Sequence, residues 1–283
     1  MLSCEVIDLY SHFRMDRKDA AGGRLFCWVW HTSDQISPLG RMRPAVLILP
    51  GGGYYKVSAR EAEPVAMRFL SKGYAAFALD YSIAPSKFPT ALREAALAMR
   101  YIRENAPALE VDEHMVSAIG FSAGGHLCGT LGTMYDCPEV SDIAPAQIIR
   151  PDALGLCYPV AVSWGNTHEE SFLNLTGSDA QLRARLSLDR LVRPDMPPVF
   201  LWHTRTDASV PVRNSLILAQ ALEEAGVDFA LHIFRHGPHG ISVADAQCYP
   251  VNRVPDKSAD VTDWPEKMMQ FFREIGFTMT DRE

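Results

Sequence analysis

The stretch Ile119-Gly120-Phe121-Ser122-Ala123-Gly124-Gly125-His126 constrains this chain more than any other. It reads Gly-x-Ser-x-Gly. Met115-Val116-Ser117-Ala118-Ile119 before it is an apolar run of strand character, and Leu127, Leu131 and Met134 after it recur at spacings of four and three, as on a helix. A strand that turns sharply into a helix at a serine holds that hydroxyl clear of both elements. The turn brings strand and helix so close that a Cβ two positions either side of the serine would collide. Gly120 and Gly124 meet that need, and glycine tolerates the strained backbone of such turns. A glycine-rich turn with an idle serine is the competing reading; the flanking strand and helix favour the elbow.

The rest of the chain supplies strands and helices in alternation. Leu25 to Trp30 reads as an early strand, Pro38-Leu39-Gly40 as a turn, and Ala45 to Leu49 as a strand buried on both faces, stopping at Pro50-Gly51-Gly52-Gly53-Tyr54. Ser58-Ala59-Arg60-Glu61 matches a capping box, but Pro64 would clash in the interior of a helix begun there. The helix is therefore expected from about Glu63 to Ser71. Strands follow at Tyr74–Tyr81, Met115–Ile119, Ala153–Tyr158, Pro198–His203 and Phe229–Phe234, with helices at Thr90–Asn105, after Ser122, at Val212–Ala225 and at Trp264–Ile275. That order predicts an α/β fold with a mostly parallel central sheet and helices on both faces. Residues 1–24 read as a polar N-terminal arm. Residues 160–197 lack periodicity and read as short helices and loops, either a short lid or insertion or an ordinary crossover. No repeat divides the chain, so one domain over 1–283 is expected.

Composition narrows the partners. A chain of 283 residues that is 47% hydrophobic can build a sizeable core, and a net charge of −7 argues against nucleic acid. Six scattered cysteines without a C-x-x-C pair fit a reducing compartment, with Cys128 and Cys157 as small core residues. The first residues have no basic segment followed by an apolar stretch, and no run approaches a membrane span. The expectation is a cytoplasmic protein without a membrane partner, with a homo-oligomer left open.

A serine hydroxyl needs a base to take its proton and a third group to orient that base. In an elbow protein these follow in the order Ser, Asp or Glu, His. Asp207, just past the strand ending at His203, is the candidate acid; its bland alternative is a turn or capping aspartate. His239, between Pro238 and Gly240, is the candidate base, with His236 the alternative. His232, His236 and His239 together also suggest a metal site, but no carboxylate-rich helix accompanies them, so none is expected. An attacked ester carbonyl becomes an oxyanion that backbone N–H groups can stabilise. The N–H of Ala123 and those of the Gly51-Gly52-Gly53 loop are the candidates. The rival, a phosphate-gripping loop, lacks both G-x-G-x-x-G and a Gly-Lys-Ser/Thr ending.

Pro50-Gly51-Gly52-Gly53-Tyr54, Gly120-Phe121-Ser122-Ala123-Gly124-Gly125-His126, His203-Thr204-x-x-Asp207-x-x-Val210-Pro211 and Gly237-x-His239-Gly240 together resemble the α/β-hydrolase esterases, and within them the carbohydrate esterases that include acetyl-xylan esterase-like proteins. The likeness covers about residues 45–245 in the expected order. It implies a Ser122–Asp207–His239 triad, oxyanion N–H groups at Gly52, Gly53 and Ala123, no cofactor, and a small-molecule ester as substrate, possibly an acetylated oligosaccharide. Pro50 departs from the histidine that many relatives carry there, although the acetyl-xylan branch is similar in using proline. Tyr54, Tyr55, Tyr81, Trp164 and Trp202 are candidates to line a sugar site or to serve as ordinary packing. A prolyl-oligopeptidase-type peptidase is the first rival, but about 44 residues before the first buried strand leave no room for its extra N-terminal domain. The others are an arylformamidase-like amide hydrolase and a non-catalytic binding protein on the same fold.

Overall fold

Ala45, Leu47 and Leu49 pack into one apolar cluster, and Val46 and Ile48, which point the other way, into a second. A strand apolar at every position must be covered on both faces, and that requirement sets the layering. The structure, a computed structural model, describes residues 1–18, 20–33, 35, 41–245, 248 and 260–281. In chain order they form β1 (Leu2–Asp8), α1 (Leu9–His12), β2 (Arg24–Trp30), β3 (Arg41–Leu49), α2 (Glu63–Leu70), β4 (Ala75–Asp80), α3 (Thr90–Glu104) and β5 (Val111–Phe121). Then come α4 (Ala123–Thr133), α5 (Ala146–Ile149), β6 (Ala153–Cys157), α6 (Glu169–Thr176), α7 (Ala180–Arg185), α8 (Leu188–Leu191), β7 (Val199–Thr204), α9 (Arg213–Glu224), β8 (Phe229–Phe234), α10 (Trp264–Glu274) and β9 (Thr280–Asp281).

The sheet runs β1-β2-β4-β3-β5-β6-β7-β8, with β9 pairing the start of β3. From β4 to β8 every pairing is parallel, while β1 and β2 are antiparallel additions at one edge. One face is covered by α3, α4 and α9 through Leu92, Leu127, Leu131 and Leu218. The other is covered by α2 and α10 through Phe69, Met268 and Phe272. Because the strands are parallel, the residues after β3, β5, β7 and β8 all emerge at one edge. This is the edge where open α/β sheets bind their ligands. No helix among the described residues is long and apolar enough to cross a membrane.

The expected mostly parallel sheet, covered on both faces, is observed. One local expectation is corrected, and the start expected for the helix after Ser58 is observed. The N-terminal residues are not a loose arm: β1 pairs with β2 along its whole length, and Leu9 and Tyr10 are buried. Ser58 caps nothing through its side chain; it heads a single turn, Ala59–Glu61, whose glutamate points inward. α2 begins at Glu63 with Pro64 in its first turn, where the missing N–H costs no hydrogen bond. The turn expected at Pro38-Leu39-Gly40 lies outside the described residues.

Candidate active site

Ser122 sits between β5 and α4 at φ 54° and ψ −118°, a conformation that L-residues rarely adopt. The backbone around it holds it there. Its N–H donates to the Cys157 carbonyl at 3.0 Å, and its own carbonyl accepts from His126 at 3.1 Å and Val160 at 3.0 Å. A Cβ at Gly120 would lie 2.1 Å from the Gly124 carbonyl oxygen, and one at Gly124 would lie 2.1 Å from that of Leu49. Side chains at either position would push strand and helix apart.

The loops after β7 and β8 bring Asp207 and His239 to the same hydroxyl. His239 Nε2 lies 2.7 Å from Ser122 Oγ and its Nδ1 lies 2.6 Å from Asp207 Oδ2. An ionised carboxylate only accepts, so Nδ1 carries the proton and Nε2 of the neutral ring accepts from the serine. The other Asp207 oxygen accepts from the N–H groups of Ser209 and Val210, both at 2.9 Å. Burial alone would raise the Asp207 pKa. Hydrogen bonds from His203 and His239, the charge that a protonated His239 would carry and the Val210 N–H outweigh it and hold the carboxyl well below its usual range. His203, buried within β7, stands in the quoted motif without a role of its own there. Its Nε2 donates to the Val210 carbonyl at 2.8 Å and lies 3.3 Å from Asp207 Oδ2, so it packs the acid in place.

Gly52, Gly53, Ser122, His168 and His239 line a cavity of about 230 Å³. Gly52 and Gly53 adopt φ 129° and 63°, values that suit glycine. Neither donates its N–H to any described residue. Ala123 is the first residue of α4, so its N–H has no intrahelical partner. The loop is anchored from behind. Gly51 N–H donates to Glu61 Oε2 at 2.9 Å, the Tyr81 hydroxyl donates to the Pro50 carbonyl at 2.6 Å, and Asn174 Nδ2 donates to the Gly53 carbonyl at 2.9 Å. Residues 160–197 therefore reach the site: Asn174 lies on α6, and His168 caps that helix while facing the cavity. Burial, followed by the charge that a protonated His239 would place nearby, holds the His168 pKa below its usual value.

The remaining candidates separate by burial. Tyr54, Tyr81 and Trp202 are core side chains, so of the five proposed sugar-lining aromatics these three belong to packing. Tyr55 is 46% exposed and lines the cavity. Trp164, also exposed, donates through its indole N–H to Asp189 at 3.0 Å. His236 is exposed and does not line the cavity, whereas His232 lies against Phe200 and Phe234 on β8. Among the described residues, no three His, Cys, Asp or Glu side chains are grouped to hold a metal.

His126, inside the elbow motif, makes a different contribution. Its Nε2 donates to the Leu186 carbonyl at 2.7 Å, so its Nδ1 accepts from the Tyr54 hydroxyl at 2.9 Å. It thus links α4 to the glycine loop and to the 160–197 segment. Burial pushes its pKa down to about 4, with the Leu186 carbonyl opposing weakly. The unfolded chain takes up this proton near pH 6.5, so folding stability is full above that pH and falls as pH drops toward 4. The shift corresponds to a loss of roughly 3 kcal/mol over that window. Urea midpoints between pH 7.5 and 4.5 should fall accordingly, and His126→Gln should flatten the slope. An unchanged slope in that variant would place the acid sensitivity elsewhere.

The family profile described as BD-FAE matches residues 38–148. The chain is 37% identical over 221 residues to endo-1,4-beta-xylanase B of Butyrivibrio fibrisolvens, covering 73% of this chain and 34% of that protein. It is 28% identical over 236 residues to an acetylxylan esterase of Xylanibacter ruminicola, covering 81% and 45%. It thus spans about a third to a half of the length of these curated relatives. Among solved structures, an acetyl ester-xyloside bifunctional hydrolase from Caldicellulosiruptor lactoaceticus is similar over 96% of this chain and 97% of that one, with 34% identity and a TM-score of 0.81.

Proposed function

The chain belongs to the α/β-hydrolase esterases, and we propose that it is a serine carboxylester hydrolase that removes short acyl groups, chiefly acetyl, from xylo-oligosaccharides or related sugars. The observation that carries this reading is the unbroken hydrogen-bonded line Ser122–His239–Asp207 beside the N–H groups of Gly52 and Gly53, which meet no acceptor among the described residues. Ser122 Oγ attacks the ester carbonyl while His239 Nε2 takes its proton. Asp207 stabilises the imidazolium and fixes the ring. The N–H groups of Gly52, Gly53 and Ala123 receive the negative oxygen, each such donor typically contributing about 10²–10³ in rate. His239 then returns the proton to the departing alcohol, and water, deprotonated by the same imidazole, releases the acid.

Support for the substrate comes from two directions. The related structure is of an acetyl ester-xyloside hydrolase and a curated relative is an acetylxylan esterase. The cavity is small, and the exposed ring of Tyr55 at its wall offers a flat apolar face of the kind a pyranose packs against. The test is a panel of acetylated xylo-oligosaccharide, p-nitrophenyl esters of rising chain length, N-formylkynurenine and a proline peptide. Acetyl release from the oligosaccharide and fastest turnover of the two-carbon ester are expected. Preferred cleavage of the formamide or the peptide would replace this reading with an amide hydrolase, and failure to react with any serine-directed organophosphate would favour a non-catalytic binding protein.

A further inference from the structure

Glu61 is a carboxylate only 2% exposed that the proposed reaction does not use. Burying such a group is unfavourable unless its oxygens are well paired, and its two partners stand on separate loops, one of them bonded on to a third. Oε2 accepts the N–H of Gly51, at the root of the glycine loop after β3 (2.9 Å). Oε1 accepts the hydroxyl of Tyr158, just past β6 (2.6 Å). The Tyr158 oxygen in turn accepts the N–H of Ser242, three residues beyond His239 (3.1 Å). The Tyr158 hydroxyl thus accepts from the Ser242 N–H and donates its own proton to Glu61, so one phenol oxygen couples the carboxylate to the histidine loop. The Tyr158 ring also lies edge-on to the imidazole of His239, with centroids 5.2 Å apart. Ser242 closes the frame through its hydroxyl, which donates to the Arg60 carbonyl in the same turn as Glu61.

We propose that Glu61 is a positioning residue that holds the glycine loop and the histidine loop in one fixed relation through Gly51 and through Tyr158–Ser242. The inference rests on the serine esterase reading. The oxyanion donors and the base must act on one substrate carbonyl at the same moment, yet they stand on loops far apart along the chain. Glu61 is the group that touches the first loop directly and the second through one hydroxyl.

Glu61→Gln tests this with little change of volume. A glutamine has one acceptor oxygen, so either the Gly51 N–H or the Tyr158 proton loses its partner. On p-nitrophenyl acetate, kcat should fall about 100-fold with KM changed by less than about threefold, because the donors matter to the developing oxyanion more than to the bound ester. Tyr158→Phe, which keeps the ring and its packing, should show the same split. The double variant should be no slower than the slower single one, since both changes break one connection. A purely structural role would lower the melting temperature without this kcat-specific loss, so rates are compared where near-ultraviolet circular dichroism shows each variant folded. If Glu61→Gln does not fold, Tyr158→Phe alone decides. Folded variants with wild-type kcat, beside an active wild type, overturn the role of Glu61 and leave the esterase reading standing. A wild type inert toward every ester overturns both.

Discussion

Ser122→Ala should lower kcat for p-nitrophenyl acetate by about 10⁶-fold, the scale of loss when the nucleophile of a serine hydrolase is removed. The variant should melt within a few degrees of the wild type. The hydroxyl is the only atom removed, and what holds residue 122 in its strained conformation is backbone: the N–H bond to Cys157 and the carbonyl bonds from His126 and Val160. Alanine keeps all three, and at φ 54° it is no more strained than serine. What disappears is the group to which His239 Nε2 points at 2.7 Å. A residual rate above that in water should persist, because the N–H groups of the glycine loop still face a carbonyl that water can attack. Turnover by the alanine variant near the wild-type rate would mean that the nucleophile lies elsewhere and that the elbow is only a tight turn.

How much of this was legible in the sequence follows from how local each signal is. The elbow shows itself because its two glycines and its serine lie within five residues and each answers to a contact with the adjoining backbone. The strand ends after Ser122 were readable from apolar runs of five or six residues, which placed Asp207 and His239 on loops at one rim of the sheet. β1 was not readable. As an edge strand it pairs only with β2 and is largely exposed, and its alternation, Leu2, Cys4 and Val6 against Ser3 and Glu5, is short and broken by Ile7. The contacts of Glu61 and His126 were hidden for another reason: Tyr158 stands 97 positions from Glu61 and the partners of His126 stand 60–72 positions away, and nothing in a glutamate of an apparent capping box says that it turns inward. Aromatic residues have the same weakness as signals. Tyr54 and Tyr55 are adjacent, yet one is buried against His126 and the other lies open at the cavity. The backbone turns there through positive φ at both Gly53 and Tyr54, 63° and 58°.

Asp207→Asn should lower kcat by about 10⁴-fold with the fold intact, and the structure gives a specific reason. One carboxylate oxygen already accepts two backbone N–H groups, from Ser209 and Val210, and these cannot reverse. In the variant the amide oxygen must stay with them, which turns the NH₂ group toward His239 Nδ1. That nitrogen can no longer donate and becomes an acceptor, so the ring proton moves to Nε2 and points at Ser122 Oγ. The imidazole is then the wrong tautomer to take the serine proton, although no heavy atom need move by more than a few tenths of an ångström. The loss should therefore fall on kcat while KM for the ester stays close to wild type, since neither the cavity wall nor the glycine loop is touched. The kinetic measurement and the melting temperature together decide it. A variant that unfolds would assign Asp207 to loop stability through Ser209 and Val210. One that keeps more than about a tenth of the wild-type kcat would show that another group orients the base, and His203, 3.3 Å from Asp207 Oδ2, the oxygen that faces His239, shows how tightly that corner is packed.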